Sequence, residues 1–215
     1  MDRGNAPMKA KESWEYIHAE RVSMVDTLAG LTEEQWSAPS WCTGWSVQQT
    51  AGHILAAAEQ TPANFYKDLT AARFKFDVFT DRDAKRLGAL DCEQLVDRLR
   101  ARTSTTNRPP APVLAMLGEI IVHGEDIRRP LGLRHQAPQA ALIAVADSWK
   151  NSNLLIGSKR RIAGVRLRAT DCDWVHGEGP EVSGPLNSLI LAMTGRKGSH
   201  RDLEGDGLAV LAGRA

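Results

Sequence analysis

The sequence predicts an α+β protein that is mainly helical, with an N-terminal bundle of four long helices and a small C-terminal α+β module. Two observations predict this fold class. Over residues 1–156, apolar residues recur at helical spacing between helix start and stop signals. Beyond residue 157, apolar and polar residues alternate between glycine-containing turns, which is typical of half-buried strands. We therefore predict a helical bundle over 1–156 and a separate module over 157–215.

The length, charge balance and cysteine content of the chain limit the kinds of binding partner and cellular location that we expect. The 215 residues are enough to bury a sizeable core. Because 27 basic residues face 26 acidic ones, the net charge of +1 gives no general argument for nucleic acid or an anionic membrane as a partner. The three cysteines form no C-x-x-C pair, and we find neither a secretory signal nor an apolar run of membrane-spanning length, so we expect a cytoplasmic protein.

The N-terminal half contains the first two predicted helices. Apolar spacing indicates a helix over Glu12–Leu31. Capping-box sequences then begin at Thr32 and at Ser46. The second of these opens a long helix that we extend to Arg73, with His53 in its second turn.

Three more helices are predicted before the module. The third covers Asp81–Thr105, and a proline cluster must end it. The fourth covers Val113–Arg129 and stops at Pro130, and the fifth covers Pro138–Leu155.

In the C-terminal module we predict short elements joined by turns. A strand covers Val165–Thr170, and a second strand begins near Trp174. A short helix opens at Ser183 and runs through Met193. Leu208–Leu211 is predicted as a last short strand.

A carboxylate and an imidazole lie one helical turn apart in the apolar fourth helix. Glu119 and His123 share a helix face at this spacing. In a bundle, His53 on a facing helix could complete a three-ligand metal site. The alternative is that each histidine is a hydrogen-bonded core residue. A metal is favoured because an isolated carboxylate in such an apolar run would be costly.

Two imidazoles and one carboxylate are the ligands of many catalytic zinc sites, where water holds the remaining position. The same ligands could hold iron or nickel. The residue types alone therefore do not determine which of these metals binds.

Two residues near the candidate ligands in the sequence, Asp126 and Trp45, each have two interpretations. Asp126 could orient the His123 ring or cap a turn. Trp45 could line a cavity or pack in the core. Cys42 has no basic residue beside it in the sequence, so we interpret it as a packing residue.

Arg128 and Arg129 end the fourth helix. They could bind a substrate carboxylate in a bidentate manner, or they could simply complement the helix dipole. The sequence contains no G-x-G-x-x-G, P-loop, G-x-S-x-G or H-E-x-x-H motif, so nucleotide binding, serine hydrolysis and zincin proteolysis have no support.

Four segments carry a family resemblance: Pro39–Val47, Ala51–Leu55, Glu119–Gly132 and Val165–Trp174. The first three resemble the DinB-like superfamily, specifically its mycothiol-dependent maleylpyruvate isomerase-like family. The fourth resembles the small C-terminal domain that many of these proteins carry. The resemblance covers nearly the whole chain.

The resemblance implies a DinB-like four-helix bundle with a divalent metal, most commonly zinc, held by His53, Glu119 and His123. It also implies an actinobacterial enzyme with mycothiol as thiol cosubstrate and a small electrophile as substrate. The reaction would be an isomerisation or an S-transfer, with Arg82, Arg128 or Arg129 as the anchor for a carboxylate or carbonyl.

Two alternatives stay open at this point. One is a metal-dependent hydrolase or amidase, in which the ion activates water. The other is a non-catalytic, metal-binding, stress-associated protein with a closed site. We expect no nucleic acid or membrane partner, and either a monomer or a homodimer.

Overall fold

A computed structural model describes residues 8–154 and 156–214, and the chain divides into two compact units. The first unit is Lys9–Gln136, and the second begins at Ala137. The helices of the first unit are α1 (Ala10–Ala29), α2 (Glu33–Ser37), α3 (Val47–Glu59), α4 (Pro62–Ala71), α5 (Phe76–Leu87), α6 (Cys92–Arg100) and α7 (Val113–Arg128).

The first unit is a bundle in which α1 packs on α7, α7 on α3, and α3 on α5, while α6 contacts α1 and α3. Its core consists of apolar side chains that recur on one face of each of the three long helices. Fully buried examples are Ile17, Met24 and Leu28 on α1, Leu55 on α3, and Leu117 and Ile121 on α7. The bundle predicted from the sequence is confirmed.

Two of the predicted long helices are each broken in two. The helix expected to reach Arg73 ends at Glu59, because Thr61 caps a new helix whose first residue, Pro62, has no N–H to continue the old one. The helix expected over Asp81–Thr105 is interrupted after Leu87 because the Asp91 side chain accepts bonds from the first amides of α6. These predictions were wrong in length, whereas α1 and α7 match theirs closely.

The second unit holds three strands and four α-helices among its described residues. Its elements are α8 (Gln139–Trp149), α9 (Ser158–Arg161), β1 (Arg166–Ala169), β2 (Val175–His176), β3 (Glu181–Gly184), α10 (Leu186–Met193), a 3-10 helix (Lys197–Asp202) and α11 (Leu208–Ala212). The strand order is β2-β1-β3, with β1 antiparallel to β2 and parallel to β3.

Several details of this unit differ from the prediction. Leu208–Leu211 lies in the helix α11 and not in a strand. The strand β3 was not predicted, since it is a short segment between a turn and the helix that follows it. Ser183, predicted to open that helix, lies in β3, and the helix begins at Leu186 after Pro185. Its inward residue Val182 pairs with Leu167 of β1, and both side chains are fully buried.

The helix α8 packs on α10 and thus belongs to the second unit. The observed division therefore lies at Gln136, before α8, while the sequence pattern placed it at residue 156. The helix predicted to reach Leu155 ends at Trp149, so this prediction was too long, and Leu155 itself lies outside the described residues. No described helix is both long and apolar enough to cross a membrane.

Candidate metal centre

The helices α3 and α7 bring the three predicted metal ligands together. His53 Nε2 lies 3.7 Å from Glu119 Oε1. The rings of His53 and His123 meet edge to face, with 4.6 Å between their centroids. The three side chains are 14%, 23% and 15% exposed, so the cluster is mostly shielded from water.

Asp126 is hydrogen-bonded to the His123 ring. His123 Nδ1 lies 3.0 Å from Asp126 Oδ2, and the Asp126 side chain is fully buried. Because an ionised carboxylate can only accept, the ring donates from Nδ1 and Nε2 is the nitrogen that can bind a cation. A carboxylate behind a metal-binding imidazole is a recurrent arrangement that fixes the ring and raises its basicity.

The sequence interpretation of Cys42 as a packing residue needs correction. Its Sγ lies 3.0 Å from Asp126 Oδ2 and 3.3 Å from His123 Nδ1. These partners are more than eighty positions away in the chain, so sequence neighbours could not reveal them. The Cys42 thiol and the His123 ring therefore both contact the same oxygen, Asp126 Oδ2.

The segment between α2 and α3 is hydrogen-bonded to α7 and places Cys42 beside that helix. The Trp41 amide donates to the Asp126 carbonyl, and the Trp45 amide donates to the Cys42 carbonyl across a tight turn. Gly44 in this turn has a φ of 83°, a left-handed conformation that favours glycine. The contact of this turn with α7 joins segments that are far apart in the sequence.

The Trp45 indole packs against His53, at the edge of the cluster formed by His53, Glu119 and His123. Its ring centroid lies 5.1 Å from that of His53. Its Nε1 donates to Asp81 Oδ1 on α5 at 3.0 Å, which fixes the indole between the connector and that helix. The side chain therefore both packs and borders the cluster.

Arg21 is a buried cation near Glu119 that the sequence analysis missed. The side chain donates to the Thr105 carbonyl at 2.8 Å, and its guanidinium lies 5.8 Å from the Trp14 ring centroid. A signal was present in the sequence, because Arg21 shares the apolar face of α1 with Ile17 and Met24.

Burial raises the pKa of Glu119 to about 8, although the Arg21 charge acts in the opposite direction. Burial therefore disfavours the ionised form of Glu119 more strongly than the Arg21 charge favours it. Burial likewise lowers the pKa of Arg21, while Glu119 raises it. A divalent cation would supply the positive charge that the ionised Glu119 needs.

We expect Glu119→Gln to stabilise the metal-free protein at neutral pH. The pKa of Glu119 is raised in the folded state, so the folded protein retains a proton that the unfolded chain loses above about pH 4.5. Stability in the metal-free wild type should therefore fall as the pH rises from about 4.5 to 8. The variant should be more stable by about 3 kcal/mol at pH 7, since each of the about 2.5 pH units above 4.5 contributes about 1.4 kcal/mol, and there should be no difference at pH 4.

Chemical denaturation of both proteins after chelation, across this pH range, measures the effect. Zinc added at pH 7 should reverse the order of stability, since only the wild type has the carboxylate ligand. Equal stability of both metal-free proteins at every pH would contradict the assigned burial of Glu119.

The three arginine candidates lie in different surroundings. Arg128 is 3% exposed and donates to Thr27 Oγ1 and Ser23 Oγ, so it joins α7 to α1. Arg129 donates to Glu125 Oε2 at 2.5 Å and stacks over the Trp41 ring. Arg82 is 42% exposed and lies near Asp68 and Asp83. Arg128 is thus buried in contacts between two helices, and Arg82 is the most exposed of the three side chains.

The residues present fit a divalent metal. His53, Glu119 and His123 supply two nitrogen donors and one oxygen donor from two rigid helices, which is the donor set of many open zinc sites. Asp126 supplies the orienting carboxylate.

Comparison with known proteins agrees with this fold. Residues 17–112 match the family model described as mycothiol maleylpyruvate isomerase N-terminal domain. No curated protein matches the chain. The crystal structure of a mycothiol-dependent maleylpyruvate isomerase is similar over 93% of each chain, with a TM-score of 0.68 and 12% identity. A histidine-to-alanine mutant of the mycothiol-dependent isomerase is similar over the same shares, with a TM-score of 0.67.

The matched residues contain α3 and its His53, and they end directly before α7. The similarity to the solved structures extends over both units and shows the fold. The match to the family model is confined to residues 17–112, within the helical unit, and the chain has the mainly helical α+β fold of the solved isomerase.

Proposed function

We propose that this protein is a metal-dependent enzyme that uses a low-molecular-weight thiol, mycothiol, on a small electrophile. The observation that carries the proposal is the convergence of His53, Glu119 and His123 from two helices of a domain whose family is named for a mycothiol-dependent isomerase. The reaction would be an isomerisation or an S-transfer. Zinc is the metal that we propose, because two imidazoles and one carboxylate are the ligands of many catalytic zinc sites.

A divalent ion at this position would keep a thiol in its thiolate form, which is the nucleophilic form. The residues of the chain have separate tasks around it. Asp126 keeps the proton of His123 on Nδ1. Trp45 shields one side of His53 from water. Arg82 on α5 would meet a carboxylate or carbonyl of the electrophile.

The thiol dependence can be tested by calorimetric titration of the zinc-loaded protein with mycothiol. S-methylmycothiol is the matched control, because it keeps the sugar and loses the ionisable sulfur. We expect mycothiol to bind at least about 10-fold more tightly, which is about 1.4 kcal/mol. In the chelated protein the two ligands should bind equally.

Equal affinity of the two ligands for the zinc-loaded protein would contradict a thiolate-binding role. Thiol-independent cleavage of esters or amides would assign a hydrolase to the same metal. His53→Ala should lose the preference for mycothiol together with its zinc, which links the two observations.

A further inference from the structure

A second group of potential metal-binding atoms lies around Nδ1 of His123. Cys42 Sγ, His123 Nδ1 and Asp126 Oδ2 lie within 3.0–3.3 Å of one another. Each atom belongs to a side chain that can ligate a divalent cation. The ligands of a tetrahedral zinc ion are about 3.3–3.6 Å apart, so the group needs only a small expansion to receive one.

We propose that these three residues form a second, alternative site for a thiophilic divalent cation, of which Cd²⁺ is the probe. A thiolate is the soft ligand that such ions prefer. The thiolate and the carboxylate together neutralise a divalent charge, which suits a fully buried carboxylate. The proposal does not depend on the mycothiol reaction.

The scaffold supports such a site because its ligands are held before any ion arrives. Asp126 and His123 lie on the same helix face of α7. The Cys42 amide donates to Ser40 Oγ, and the neighbouring Trp41 amide is fixed on the Asp126 carbonyl. Cys42 is half-buried, so its sulfur is not sealed in the core.

The two sites must compete for His123. A neutral imidazole has one proton and one nitrogen lone pair available for a metal. Binding through Nε2 leaves the proton on Nδ1, where Asp126 accepts it. Binding through Nδ1 moves that proton to Nε2, and the thiol proton leaves to solvent. A cation on Cys42 therefore removes His123 from the other ligands.

Titration of the chelated protein with Cd²⁺ tests this site through the near-ultraviolet charge-transfer absorption of a cadmium–thiolate bond. We expect one equivalent to produce the absorption in the wild type. Cys42→Ser should abolish it, whereas Cys92→Ser and Cys172→Ser should retain it. In the wild type, Cd²⁺ should also protect one thiol from a disulfide reagent.

His53→Ala separates this proposal from the proposed function. The variant should lose zinc at the first site and keep the cadmium–thiolate absorption. Saturation of the wild type with Cd²⁺ should lower its zinc affinity at least about 10-fold.

Absence of the absorption in wild-type protein would overturn the second site and leave Cys42 as a hydrogen-bond donor. Absorption that persists in Cys42→Ser would overturn it too. Circular dichroism of Cys42→Ser, which retains a donor for Asp126, checks that any loss is not due to misfolding.

Discussion

His53→Ala and His123→Ala should each lose the metal of the purified protein. The two rings lie 4.6 Å apart on different helices, so each supplies a ligand that the other cannot replace. Loss of a residue that only supports a ligand lowers metal affinity by about 10–100-fold. Loss of a ligand itself should therefore lower zinc affinity by more than about 100-fold.

Elemental analysis after dialysis measures this effect. His176→Ala is the matched control, because His176 lies on β2 in the second unit. It should retain the wild-type metal content. If both bundle variants also retain it, the assigned metal centre is wrong.

Gly52→Ala should have the largest effect on stability. A Cβ at Gly52 would lie 2.4 Å from the Gly88 amide nitrogen and 2.7 Å from the Ala84 carbonyl oxygen. Both are backbone atoms, so α3 and α5 would have to move apart. Overpacking of this kind costs about 3 kcal/mol and exceeds the helix-propensity gain of about 1 kcal/mol.

The net loss of about 2 kcal/mol should lower the melting temperature of Gly52→Ala by about 4–8 °C. Zinc affinity should also fall, since the neighbouring residue is His53. Gly30→Ala is the control, because a Cβ there would make only ordinary contacts, the shortest of them 3.7 Å to the Thr27 carbonyl oxygen. A wild-type melting temperature for Gly52→Ala would mean that α3 and α5 are not in such close contact.

Local signals in the sequence predicted helix starts better than helix ends. The capping box at Ser46 is present, and its side chain accepts the Gln49 amide as the sequence indicated. The end of that helix was misplaced because the apolar spacing continues past Pro62. The capping side chain of Thr61 and the missing N–H of the proline outweigh the spacing.

The short elements of the second unit could not be predicted as reliably. A four-residue strand such as β3 depends on its pairing with β1, which only the folded chain provides. Leu208–Leu211 has an apolar pattern too short to distinguish a strand from a helix, and it is helical.

The sequence by itself determined the bundle and the metal-ligand candidates Glu119, His123 and His53, because helical periodicity places residues four apart on one face. Only the tertiary structure brought Cys42 and Arg21 to this group. Both reach it from distant segments, and side-chain contacts between such segments depend on how the helices pack. The tertiary structure also placed the Cys42 thiol against His123 Nδ1 and Asp126 Oδ2, and so gave one ring two possible cation sites.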